Sequence, residues 1–164
     1  MSYTKIASFT ASGGETDTTF STIPTIYKHL AMQGFVRSNT ATTDMVVQFN
    51  GDTSTNNYVL SQVNANAVGN FSVGHYAPGD VDGVRLADYI PNSGSDWCGF
   101  TAYFTDYLST VKTQNVLSIS NNAYLANQWM AGAWLNTAAV NAIRVRMSGT
   151  FIAGSKLVLY GLAG

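Results

Sequence analysis

The feature that most restricts this chain is its punctuation: a turn signal recurs about every ten residues, with short β-favouring runs between. Ser12-Gly13-Gly14, Asn50-Gly51-Asp52, Ala77-Pro78-Gly79-Asp80 and Ser148-Gly149 are such signals. Strong helix formers are scarce, with Glu15 the only glutamate and Lys5, Lys28, Lys112 and Lys156 the only lysines. Thr, Val, Tyr, Phe and Ile are common, and these residues suit a pleated, half-buried surface. The run Trp97 to Tyr107 carries the period-2 mark of a strand with two unlike faces. In it Phe100, Ala102 and Phe104 oppose Thr101, Tyr103 and Thr105.

The same reasoning predicts strands over Tyr3 to Phe9, Thr18 to Ile23, Tyr27 to Arg37, Asp44 to Phe49, Asn57 to Val63 and Phe71 to Tyr76. It predicts six more over Val84 to Ile90, Trp97 to Tyr107, Asn115 to Ser120, Asn127 to Leu135, Ala142 to Met147 and Leu157 to Leu162. In Tyr27 to Arg37, Leu30, Met32 and Val36 share one face, opposite Tyr27, His29 and Phe35. Gly69-Asn70-Phe71 and Ala77-Pro78-Gly79-Asp80 read as loops, and Thr137 to Asn141 as a single helical turn. So many short strands call for two antiparallel sheets packed face to face. The expected fold is an all-β antiparallel sandwich, jelly-roll-like, with residues 1–164 forming one domain. The last strand ends close to the C-terminus, so a shaft or tether is expected to come from another chain.

Charge and motifs exclude more than they select. Charged residues are 10% of the chain and the formal net charge is −1, so electrostatic nucleic-acid binding has no footprint. No apolar run reaches the length of a membrane span, and the N-terminus lacks the apolar core of a secretory signal. Asp80-Val81-Asp82-Gly83 resembles part of a calcium loop, but the glutamate expected at its far end is missing, and an Asp-Gly turn is the simpler reading. His29 and His75 each sit in an apolar or aromatic strand with no acid at a telling spacing. Cys98, between Trp97 and Gly99, has no base beside it in sequence and reads as a small buried residue. There is no Gly-x-Ser-x-Gly elbow, no preferred carboxylate pair and no phosphate-binding glycine loop. Neither catalytic residues nor a metal or cofactor is expected.

The aromatic side chains are the informative set. Most aromatics of such a chain belong to the core; beyond that role, Trp97, Trp129 and Trp134, with Tyr103 and Tyr107, are the candidate contacts for a subunit interface first and a sugar second. A surface rich in Ser, Thr and Asn suits association, because desolvating these groups costs less than desolvating Lys or Glu. Exposed strand edges also need covering, and a homo-oligomer covers them.

Several ordered segments carry a resemblance. They are Thr18-Thr19-Phe20 with Ile23-Pro24-Thr25-Ile26-Tyr27-Lys28-His29-Leu30; Arg37-Ser38, Phe49-Asn50-Gly51-Asp52 and Asn57-Tyr58; and Ala87-Asp88-Tyr89-Ile90-Pro91. Thr110-Val111-Lys112-Thr113 follows, then Trp134-Leu135-Asn136-Thr137-Ala138-Ala139-Val140, Ile143, Gly149 to Ser155, and Leu159-Tyr160-Gly161-Leu162. Their order and spacing resemble a group of small virion structural proteins of tailed bacteriophages, of the decoration or tail-fibre kind. The resemblance implies a non-enzymatic β-sandwich on the exterior of the phage particle, made in the host cytoplasm without a signal peptide. Within that group the compact module fits a capsid decoration or cement protein, expected as a trimer against the major capsid protein. A tail-fibre or baseplate module binding host surface glycan is the alternative, and a carbohydrate-active enzyme the distant one. In this reading Ile23-Pro24 is a rigid kink and Asn50-Gly51-Asp52 a tight hairpin turn.

Overall fold

The computed structural model describes residues 2–40, 43–66, 70–92, 94–122 and 126–163. In chain order the strands are β1 (Tyr3–Thr10), β2 (Asp17–Phe20), β3 (His29–Val36), β4 (Thr43–Phe49), β5 (Tyr58–Asn66) and β6 (Phe71–Tyr76). They continue with β7 (Val84–Ile90), β8 (Cys98–Thr105), β9 (Gln114–Asn122), β10 (Ala126–Trp134), β11 (Ile143–Met147) and β12 (Lys156–Leu162). Each predicted strand has its counterpart, and the bounds of β6 and β7 coincide with those read from the sequence. Phe71, half expected in a loop, opens β6; Gly69 lies outside the described residues.

All pairings are antiparallel, in an eight-stranded sheet ordered β1-β12-β3-β8-β9-β10-β5-β6 and a four-stranded sheet ordered β2-β11-β4-β7. This is the expected jelly-roll-like sandwich. The core lies between the sheets. β8 sends Cys98, Phe100, Ala102 and Phe104 inward, and β3 sends Leu30, Met32 and Val36. From the smaller sheet β11 supplies Ile143, Val145 and Met147, and β4 supplies Met45, Val47 and Phe49. Among the described residues no helix is long and apolar enough to cross a membrane.

Two local expectations are corrected. Thr137 to Asn141 is not a helical turn, because its amides find other acceptors. The Ala138 amide donates to Asn136 Oδ1, Val140 to the Tyr107 carbonyl, and Asn141 to Asn50 Oδ1. These bonds replace the i→i−4 ladder a helix needs. Asn50-Gly51-Asp52 does form a tight turn, with positive φ at Asn50 (52°) and Gly51 (75°) and the Asp52 amide on the Phe49 carbonyl at 2.8 Å. It is no hairpin, however, because β4 and β5 lie in different sheets. The chain crosses between layers here and is pinned by Asp52. That carboxylate accepts from Trp134 Nε1 (2.7 Å), Asn57 Nδ2 (2.8 Å) and the Ser54 amide (2.9 Å). Burial alone would raise the Asp52 pKa, but these donors outweigh it and hold the carboxyl below its usual range.

Predicted as the longest strand, β3 begins only at His29. The Lys28 amide caps the Leu162 carbonyl at 3.1 Å, and the Tyr27 ring turns onto Gly161, where a Cβ would sit 2.2 Å from it. At Ile23-Pro24 the Tyr107 hydroxyl donates to the Pro24 carbonyl and fixes the bend after β2.

Candidate functional site

Directly opposed residues of an antiparallel pair share a face, so the ladders define rows across the large sheet. One outward row runs Val73, Val63, Trp129, Ile119, Thr101, Gln33, Val158. A second runs His75, Ser61, Ala131, Leu117, Tyr103, Ala31, Tyr160, and a third Phe71, Ala65, Asn127, Asn121, Gly99, Phe35, Lys156. Most large apolar side chains left exposed among the described residues belong to this face: Tyr3, Phe35, Phe71, Val73, Leu117, Ile119 and Trp129.

In the middle of β9 and β10 the polarity is locally reversed from that of a sheet with one wet face, although Val116, Met130 and Trp134 of the same strands point into the core. Leu117, Ile119 and Trp129 point out, while Ser118, Ser120 and Gln128 are buried between the sheets. The inward polar groups meet the backbone of β7. Ser118 Oγ donates to the Leu86 carbonyl at 2.7 Å, and Gln128 Oε1 accepts from the Asp88 amide (2.9 Å) and from Ser120 Oγ (2.7 Å).

At the centre of the outer face lies a shallow depression of about 860 Å³. Trp129, Tyr103, Ile119 and Phe35 form its apolar part, and Gln33, Asn121, Asn127 and Lys156 its polar part. Trp129 is 43% exposed. Tyr103 and Tyr3 share a hydroxyl hydrogen bond of 3.2 Å, which raises the Tyr3 phenol above its ordinary pKa. Tyr3 also packs edge-on against Tyr160 with centroids 5.8 Å apart.

Of the five aromatic candidates read from the sequence, Trp129 and Tyr103 are brought together in this depression. Trp97 stands at its border, edge-on to Phe35 at 5.5 Å with the Arg37 guanidinium 5.0 Å from its ring. Trp134 and Tyr107 lie in the core, 1% and 0% exposed, which removes them as surface contacts and leaves the core role weighed for them. Trp134 is held there by Asp52 and by Phe49, whose ring centroid is 5.6 Å away. Tyr107 is held by the Pro24 carbonyl. Leu117, Ile119 and Phe71 were missed. Their outward parity was legible once Trp129 was known to face out, but nothing in the run itself says which side is solvent.

The remaining candidates are occupied structurally. Asp80 accepts from the Ala77 amide at 2.8 Å, and Asp82 pairs with Arg146. His29 Nδ1 accepts from the Asp106 amide at 3.0 Å, and His75 Nδ1 shares a 3.1 Å bond with Ser61 Oγ. Cys98 is fully buried; burial first, then the charge of Asp88, pushes its thiol pKa up to about 12. The thiolate is the reactive form. Cys98 is therefore expected to resist an aromatic disulfide reagent at pH 8 until denaturant is added, and fast labelling of the native protein would contradict this burial.

The class defined here is an antiparallel β-sandwich with an apolar, aromatic outer sheet face. No protein-family model matches the sequence, and no curated protein does. Among solved structures, an exo-inulinase from Aspergillus awamori is similar with a TM-score of 0.50 and 14% identity; the match covers 98% of this chain and 29% of that one. A galectin from Caenorhabditis elegans is similar with a TM-score of 0.39 and 10% identity, covering 92% of this chain and 94% of that one. A human SPRY domain is similar with a TM-score of 0.41 and 7% identity, covering 98% and 97%. At these identities the likeness concerns the fold alone, and the chain spans under a third of the inulinase.

Proposed function

We propose that this chain is a non-enzymatic structural subunit on the exterior of a tailed-phage particle, a capsid decoration or cement protein. It docks through the outer face of its large sheet onto the major capsid protein and neighbouring copies. The observation that carries the docking role is the local reversal of polarity in β9 and β10: Leu117, Ile119 and Trp129 lie on the surface while Ser118, Ser120 and Gln128 take interior places beside Val116, Met130 and Trp134. Contiguous exposed apolar surface of this kind marks interaction sites. The phage assignment rests on the ordered sequence segments. Mechanically, such a subunit bridges capsomers, and each bridge adds contact area that must be broken before the shell opens.

Immunogold labelling and electron cryomicroscopy of the encoding phage test this. Label over the whole head lattice is expected. Label at a few tail positions would refute decoration, and unlabelled particles would refute the virion assignment. Trp129→Ala is expected to leave the unfolding midpoint nearly unchanged, because the ring is half in solvent. The same substitution should weaken attachment to stripped particles by about thirtyfold, the effect of losing about 2 kcal/mol from a buried interface tryptophan. Unchanged attachment would remove the docking face.

A second reading has its own observation: Trp129 and Tyr103 share the depression with Asn121, Asn127 and Gln33, the mixture of flat apolar and amide groups that a sugar ring contacts. On this reading the chain is a tail-fibre or baseplate module binding host glycan. A glycan array with parent protein and Trp129→Ala distinguishes it, since signal lost in the variant supports this reading and a blank parent array ends it.

A further inference from the structure

We propose that β6 is a pairing edge for a second copy of this chain, joining two eight-stranded sheets across a two-fold axis through Val73. The sandwich has four edge strands among the described residues, β1 and β6 in the large sheet and β2 and β7 in the small one. An unprotected edge strand presents unpaired amides and carbonyls, and natural sheets blunt such edges with short strands, charges, prolines or bulges. On the opposite side of the large sheet, β1 carries Lys5 and a register shift between Lys5 and Ala7. In the smaller sheet, β2 is only four residues long, and its Asp17 is engaged by Arg144 at 2.7 Å. The other edge, β7, has register shifts against β4, carries Arg85 and Asp88, and turns Tyr89 to a φ of 53°.

None of these devices occurs in β6. Phe71-Ser72-Val73-Gly74-His75-Tyr76 has no Lys, Arg, Asp, Glu or Pro, and pairs with β5 without a register shift. Among the described residues no strand lies on its outer side. Phe71 and Val73 are 73% and 79% exposed.

The occupant is a second copy because the strand is complementary to itself. Opposed residues in an antiparallel pair must lie on the same face, so a two-fold between identical strands must pass through a residue, not between two. An axis at Val73 sets Val73 against Val73 and Phe71 against His75, all on the outer face, with Ser72 against Gly74 behind. This register uses nearly the whole strand, opposes no like charges, and continues the row Val73-Val63-Trp129-Ile119 into the partner. A pair, and not a trimer, is then the basic unit. The inference stands apart from the particle assignment: a dimer could form whether or not particles carry label.

Val73→Cys provides the test. Opposed Cα atoms of an antiparallel pair lie about 4.5–5.5 Å apart, within the span of a disulfide. Cys98 is buried and supplies a silent background. Under mild oxidation Val73→Cys is expected to form a disulfide-linked dimer at least tenfold faster than Val111→Cys, a control whose parent residue is 81% exposed and lies off the edge. Light scattering of the parent at about 100 μM is expected to give a dimer mass, and Val73→Lys to raise the dissociation constant at least tenfold. A monomeric parent, a trimer, or a dimer that Val73→Cys does not link would overturn the proposal.

Discussion

Trp134→Ala is expected to lower the free energy of unfolding by about 3–5 kcal/mol, the range for removing a buried large aromatic. Urea denaturation followed by far-UV circular dichroism reads it directly. Two losses combine. The indole fills core volume beside Phe49, which in turn packs edge-on against Phe104 at 5.9 Å, so the cavity opens where both sheets meet. The Nε1 donor to Asp52 also disappears, loosening the crossing from β4 to β5. Asp52 keeps its bonds to Ser54 and Asn57, so the carboxylate is not orphaned. Trp134→Phe separates the terms, because it restores most of the volume but not the donor; a loss of about 1–2 kcal/mol is expected. For a domain of this size the alanine variant should melt roughly 10 °C lower. A change under 1 kcal/mol would mean that Trp134 is not the keystone of the layer crossing.

The contrast between Trp134 and Trp129 shows what the sequence can and cannot carry. Both lie on β10, and period-2 geometry places them on opposite faces, a deduction open from residue numbers alone. Which face is interior is a tertiary matter. In β8 the answer is legible, because Phe100, Ala102 and Phe104 outweigh Gly99 and Thr101. Over Leu117 to Ser120 and at Gln128-Trp129 the usual inference from apolarity fails. Ser118 and Gln128 go inside because the backbone of β7, packed over them, offers the Leu86 carbonyl and the Asp88 amide as partners that apolar side chains would leave unmet, and Ser120 donates to the same Gln128 oxygen. Asn50-Gly51 illustrates the same limit. The tight turn is a local property and was read correctly. Whether the strands on either side pair together depends on partners elsewhere in the chain. The outer face was thus half legible: its aromatic members Trp129 and Tyr103 were named, but its aliphatic members Leu117 and Ile119 were hidden by a pattern that usually means core.

Arg85→Met is expected to cost about 3 kcal/mol at pH 7, and the size of the loss should depend on pH. Arg85 bridges Asp44 (3.3 Å) and Asp88 (3.2 Å), donates to Gln62 and to Tyr76, and lies 4.8 Å from the Tyr76 ring centroid. Burial pushes the Asp88 pKa up, and the Arg85 charge offsets only part of that rise. A carboxyl whose folded pKa is raised is most favourable to the native state when protonated. Its contribution is complete below the unfolded value, about 3.9, and falls as pH rises toward the folded value. Removing Arg85 lifts the folded pKa of Asp88 further and widens that window. Methionine keeps the length and apolar stem but leaves two carboxylates without their cation, the costly way to break a buried pair. The deficit should therefore be largest at neutral pH and shrink as acidification puts a proton on Asp88. Adding Asp88→Asn to the variant removes one stranded charge and should recover at least half of the loss at pH 7, a coupling that a double-mutant cycle measures. A deficit independent of pH, with no recovery in the double variant, would mean that Arg85 contributes through packing on Tyr76 and not through charge.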